Sequence, residues 1–317
     1  MDGAISTRFL GNEKQRAAPA RATYNTITPI SGSNAGLGQT IRFKLPSGRM
    51  GAYIDPNASF MELTVKSSDV ATLSSAGITA LFDSIQVKNA SSYISSLQNN
   101  TTYREMLVKR QDPDFLVRDG AVIHGTFDNN NGITFSAETP RTLCEFLPNM
   151  GGVFAVNRYL PLASVDGLEV EIRVHSQLKK FLTWSGETAM TAHEGNSAPF
   201  TITDVRIHLA VVEVSPEVDS MIIEKHDGVF RFLSNSMAYY QATIPSGATR
   251  YVWNLGASFS SVNALHLCMT ANDAANEWSS TRDNLIKNNI TRATLLIDGS
   301  PVIYGNAQEV SKSAVNL

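Results

Sequence analysis

The chain is built from short stretches in which apolar and polar residues alternate with period two, the signature of half-buried β-strands. In QTIRFKLP, residues 39–46, Ile41, Phe43 and Leu45 alternate with Arg42 and Lys44, and Pro46 ends the run. In SFMELTVK, residues 59–66, Met61, Leu63 and Val65 oppose Phe60, Glu62, Thr64 and Lys66. In LFDSIQVK, residues 81–88, Leu81, Asp83, Ile85 and Val87 oppose Phe82, Ser84, Gln86 and Lys88. GLEVEIRVHS, residues 167–176, places Leu168, Val170, Ile172 and Val174 on one face and Glu169, Glu171, Arg173 and His175 on the other. That pattern predicts an antiparallel strand with one wet face. RTLCEFLP (141–148), VFAVNRYLPL (153–162, after Gly151 and Gly152) and FTITDVRIHLAVVEVSP (200–216) add further strands, the last being the longest and closed by Pro216.

Helical signals are few. Thr102 and Glu105 have capping-box spacing, Met106 and Leu107 follow, and Lys109 and Arg110 suit a helix C-terminus. Asp112-Pro113 stops this helix. Residues 112–140 read as a long loop with a turn at Asp128 to Gly132, and 185–198 as a second loop. PEVDSMIIEKH, residues 216–226, predicts a short helix opened by Pro216. Beyond it, FRFLSNSMAYYQATIP, TRYVWNLG, SVNALHLCMT and ATLLIDGSPVIYG read as strands, and 276–289 as a loop or short helix. This order repeats that of the first half in pattern, without residue identity. Residues 1 to about 38 are rich in Gly, Ala, Ser and Thr and read either as a disordered tail or as an arm that orders against a neighbour, a membrane or a genome. Many short strands with little helix make the chain all-β, a sandwich or jelly-roll architecture.

Bulk composition narrows the function classes. With 317 residues the chain has room for two ordinary domains or one large β domain. A net charge of −3 excludes nucleic-acid binding driven by bulk charge. The charged share of 17% is low and suits a surface covered by neighbours. No window approaches the roughly 18 apolar residues of a membrane span, and MDGAISTRFLGNEKQRAAPAR has no apolar signal-peptide core. The two cysteines, Cys144 and Cys268, sit in apolar runs and read as buried thiols in a reducing compartment. The Asn57, Asn89, Asn100 and Asn289 sequons then read as chance matches.

Chemistry is sparse. None of His124, His175, His193, His208, His226 and His266 has metal-ligand spacing, and His175 and His208 lie on polar strand faces as expected surface residues. There is no nucleophile elbow, P-loop or dinucleotide fingerprint. Glu169 and Glu171 share a strand face, as glycosidase acids can, but solvated carboxylates are the commoner case. Tyr239, Tyr240, Trp253, Phe259 and Trp278 suit core or interface packing before sugar or base stacking. No catalytic, cofactor-binding or metal-ligating residue is assigned, no cofactor is expected, and the chain reads as a non-enzyme.

ALFDSIQVKNASSYISSLQNNTTYREML (80–107) resembles the double jelly-roll major capsid proteins of tailless icosahedral DNA viruses, with a strand pair at 82–87 and 93–97 leading to a Tyr-containing helix at 103–107. RYLPLASVDGLEVEIRV (158–174) resembles the family's turn and long strand, and FTITDVRIHLAVVEVSPEV (200–218) its strand closing the first roll. IPSGATRYVWNLGASFSSVNALHL (244–267) with LLIDGSPVIYGN (295–306) resembles the early strands of its second roll. The resemblance implies two consecutive antiparallel jelly rolls with a few short helices: an arm over 1–38, a first roll over 39–215, and a linker helix with the second roll over 216–317. It implies homotrimers forming pseudo-hexagonal capsomers that tile an icosahedral shell, in the virion, after assembly in host cytoplasm or nucleus. Implied partners are the chain itself, neighbouring capsomers, penton and minor capsid proteins, and an internal membrane or genome reached by the arm. The loops at 112–140 and 185–198, short to moderate for outer-surface loops of this family, imply low towers. A jelly roll takes eight strands, and 216–317 has room for only roughly four or five. The second roll is therefore expected to be incomplete within this chain: the chain continues, the roll is minimal, or another chain completes it. The alternatives are a minor capsid or spike protein of the same virus type, a carbohydrate-binding β-sandwich, and a jelly-roll enzyme.

Overall fold

The alternating stretches become strands, and eight of them close on one another. The computed structural model describes residues 19–68, 70–73, 77–89, 92–100, 103–104, 134–156, 158–163, 167–176, 182–184, 200–232, 234, 236–257, 259, 261–262 and 265–267, with short paired or adjoining segments at 3–4, 292–294, 296–297, 300–301 and 308–309. The eight strands are β1 (Pro19–Ile27), β2 (Thr40–Lys44), β3 (Ala52–Ser67), β4 (Phe82–Asn89), β5 (Ser92–Gln98), β6 (Arg141–Phe146), β7 (Leu168–Val174) and β8 (Phe200–Val214). They form sheet I in the order β1-β8-β3-β6 and sheet II in the order β2-β7-β4-β5. All these neighbours are antiparallel. The chain is thus a long hairpin in which β1 meets β8, β2 meets β7, β3 meets β6 and β4 meets β5. Rolling that ribbon up drops alternate pairs into opposite sheets, which is a jelly roll.

The inward faces are those the alternation requires. Ile41 and Phe43 on β2, Met61, Leu63 and Val65 on β3, and Leu168, Val170, Ile172 and Val174 on β7 are all buried in one core. From β8, Ile202, Val205, Ile207, Leu209 and Val211 meet them from sheet I. Burial of each such side chain contributes about 1.5–3 kcal/mol as an upper figure.

Three irregularities re-aim the strands. On β8, Thr203 pairs with Thr64 but Arg206 with Glu62, so Asp204, at φ 54°, is an extra residue; Asp tolerates that left-handed conformation better than most. On β3 the register jumps from Phe60 to Asp55 opposite His208 and Ala210. The buried Ser59 hydroxyl spans this gap, donating to Asp55 O (2.6 Å) and accepting from Ala210 N–H (2.9 Å). On β4, Arg173 pairs with Ser84 and Val174 with Phe82, leaving Asp83 unpaired. One extra residue flips the face. Phe82, read from period two as pointing away from Ile85 and Val87, is therefore buried in the same core.

Other expectations are corrected. Residues 19–27, assigned to the arm from composition, form β1, which pairs with β8 from Ile27–Ile207 to Ala20–Val214. As an edge strand with Tyr24 63% exposed, it lacks the apolar alternation of a central strand. Residues 153–155, read as the start of a strand over 153–162, lie in the 3-10 turn Gly152–Ala155, because Gly151 and Gly152 both take positive φ (73° and 61°) and bend the chain. Helical backbone is present at Asn100, and Tyr103 N–H bonds to Asn99 O, so that helix starts before Thr102; Glu105 and the rest of it lie outside the described residues. So do most of 112–140 and all of 276–289, although Thr134–Phe135 is a strand beside Ala71–Leu73. The strands read over 230–267 are absent among the described residues there, which hold a turn at 246–247 and one isolated bridge, Leu97 to Met237. Further on, Leu296–Ile297 pairs with Ser300–Pro301, and Arg292–Ala293 with Gln308–Glu309.

The helix α1 (Pro216–Lys225) forms where the sequence places it. Ser215 caps it by accepting from Val218 N–H (3.5 Å), Pro216 opens it, and Glu217 and Asp219 favour its positive end.

Candidate assembly surfaces

Among the described residues, no catalytic, cofactor-binding or metal-ligating constellation is assigned. Among the described residues, no three His, Cys, Asp or Glu side chains gather as metal ligands. Among them, too, no helix is long and apolar enough to cross a membrane. The structure scatters the residues weighed for chemistry. His124, His193, Trp278 and Cys268 lie outside the described residues. His226 caps the end of α1 and leans on Phe230, and His266 approaches the Tyr103 ring at 5.8 Å. His175 is buried, 3.8 Å from Asp83, and not on the surface as its strand face suggested. Glu171 is not a solvated carboxylate: only 12% exposed, it is clasped by Arg42 Nε (3.1 Å) and by Lys88 Nζ. The hydrogen bond to Glu171 holds the Lys88 ammonium above its ordinary pKa. Glu171 is thereby tied into a charge cluster across β2, β7 and β4 of sheet II.

The surfaces open to a partner are the faces the roll turns outward. On sheet I, Thr26, His208, Phe60 and Phe146 stand in one cross-strand row. His208 stacks on Phe60 at 4.7 Å, bonds Thr26 through Nδ1 (3.1 Å) and lies 3.7 Å from Glu62, so this second histidine too is half-buried. Cys144 stands on the same face opposite Glu62; it is a free, partly covered thiol, and burial first, then Glu62 and Glu145, push its pKa up.

At one end of sheet I the apolar surface is covered. Ile222 of α1 packs with Tyr53, joined by Ala20, Tyr159, Val212, Val214, Val218 and Phe230. Under the helix, the buried Asp219 carboxylate accepts from Tyr53 Oη (2.6 Å) and from Gly51 N–H (3.0 Å). Burial, then Asp219, drives the Tyr53 hydroxyl well above its usual pKa. Gly51 has φ 67°, and a Cβ there would lie 2.9 Å from Val214 O. Val214 N–H bonds Gly51 O (2.8 Å), and Arg49 pairs with Glu213, so the 47–51 turn grips the strand–helix junction. No local signal in the sequence identifies Gly51, Tyr53, Ser59 or Asp219, because their partners lie far along the chain.

Past α1 the chain presents apolar side chains outward. Tyr251, Val252 (73% exposed), Trp253, Phe259, Val262, Leu265 and Leu267 are exposed, as are Tyr239 and Tyr240. These aromatics are therefore outside the core formed by the described residues. An apolar run of this size is the kind of surface that another element covers.

No family model matches the chain, and no curated protein does. Among solved structures, the chain is similar to the PBCV-1 virus capsid in a quasi-atomic model, at 13% identity and TM-score 0.43, over 68% of this chain and 47% of that one. It is similar to the Faustovirus major capsid protein at 11% identity and TM-score 0.37, over 68% and 58%. It is also similar to the mavirus major capsid protein at 14% identity and TM-score 0.37, over 62% and 48%. The chain spans about half the length of these capsid proteins.

Proposed function

We propose that the chain is a major capsid protein, a structural non-enzyme that trimerises into pseudo-hexagonal capsomers and tiles an icosahedral shell. The observation that carries this reading is the closure of eight strands in the order 1-8-3-6 over 2-7-4-5, followed at once by a capped helix and an outward-facing apolar run. The outward faces of the roll offer surface for packing, and many weak contacts repeated over a lattice suffice to hold a shell. In this reading the segment before β1 is the arm, the roll is the first unit, and α1 leads into a second one. The arm faces neighbouring capsomers, a membrane or the genome. Penton and minor capsid proteins are further partners, and the site of action is the virion. Light scattering after size exclusion tests the reading: a species of three times 34.4 kDa is expected, and microscopy is expected to show hexagonal particles or arrays. A persistent monomer with no lattice overturns it.

A further inference from the structure

The chain leaving β8 touches the roll at two well-separated places. The first is α1, whose Asp219 is held by Tyr53 and Gly51 beside sheet I. The second is the free edge of sheet II, where Met237 N–H donates to Ser96 O (2.8 Å) and Ser96 N–H to Ser236 Oγ (3.3 Å), beside a parallel Leu97–Met237 bridge. Between them, Phe230 joins the small core under α1 and Arg231 O accepts from Arg158 Nη1 (3.4 Å). Phe232 and Met237 both pack against the main core. Two bonds at each end with apolar contacts between them hold a strap far more firmly than either end alone, because the second contact forms intramolecularly once the first is made.

We propose that α1 and the strap carrying Phe230, Arg231, Phe232, Ser236 and Met237 form a buckle that fastens the outgoing chain to both sheets, with Asp219 as its positioning residue. The first unit then ends at Met237, and the direction in which later residues leave is fixed by the roll. This holds for the isolated chain whether or not it assembles.

Limited trypsin digestion of the full chain tests the buckle. Lys225, Arg231 and Arg250 are all exposed, so accessibility alone does not distinguish them; cleavage requires local unfolding, which the buckle resists only at the first two. Cleavage after Arg250 is expected to be about tenfold or more faster than after Lys225 or Arg231. Equal rates at the three sites overturn the proposal. In Asp219→Ala, cleavage at Lys225 and Arg231 is expected to rise, and the Met237 amide to lose protection from hydrogen exchange. Loosening of α1 with Met237 protection unchanged would mean two independent contacts and no buckle. Should Asp219→Ala fail to fold, Tyr53→Phe keeps the ring and removes one bond; the same coupled change, smaller, is expected, and an uncoupled one counts against the proposal.

Discussion

Replacing Ser59 by Ala removes a single oxygen, yet the structure makes that oxygen the suture of the β3–β8 pair. It is fully buried, donates to Asp55 O (2.6 Å) and accepts from Ala210 N–H (2.9 Å). The four residues Pro56 to Ser59 oppose Leu209 alone, so in the β3–β8 ladder Ala210 N–H meets the Ser59 hydroxyl where regular pairing would supply a backbone carbonyl. A buried N–H left without acceptor costs about 1–3 kcal/mol, and the lost bond to Asp55 adds to it, giving about 2–3 kcal/mol in all. Against a total stability of about 5–15 kcal/mol this is a large fraction. Urea unfolding followed by circular dichroism should show the midpoint falling by about 1 M with an unchanged slope. Thr64→Ala, which removes an exposed 3.2 Å hydroxyl contact with Thr142, is the control and should change stability by under about 0.5 kcal/mol. A Ser59→Ala midpoint no lower than that of Thr64→Ala refutes the reasoning.

Gly51→Ala combines a positive φ with a Cβ 2.9 Å from Val214 O, and is expected to lower stability by about 1–3 kcal/mol in a thermal melt; no change would mean the turn relaxes freely. In a Cys268→Ser background, Cys144 should alkylate more slowly than glutathione at pH 8. A raised pKa keeps it a thiol there, and its rate should go on climbing beyond the ordinary thiol pKa of about 8.5. Deleting residues 1–18 should preserve the fold and trimers while impairing shell formation, whereas deleting 1–27 removes β1 and should abolish cooperative unfolding. Intact shells from the shorter deletion would make the arm dispensable.

Strands are legible where period and composition agree. β2 and β7 alternate without interruption, and their buried residues are those the alternation names. Legibility fails where one residue is inserted or removed: the unpaired Asp83 turns Phe82 inward, and Asp204 resets β8, neither of which period two can reveal. It fails again at β1, whose partner is β8 and whose exposed edge carries little apolar pattern. The strands read over 230–267 come from β-propensity alone, and propensity without pairing partners does not make a sheet. The buried carboxylate at Asp219 looks in sequence like any acidic residue in a first helical turn.

The pairing of β1 with β8 sets the order of events during synthesis. Ile27 finds its partner only when Ile207 has left the ribosome, and Ala20 only when Val214 has. Until then β3, destined for the middle of sheet I, exposes its β8-facing side, although sheet II, whose last strand ends at Val174, can already cover Met61, Leu63 and Val65. A fold this non-local is slow to form and exposed to aggregation while it waits. Co-expressed nascent-chain chaperones are therefore expected to raise the soluble yield of a chain with this topology.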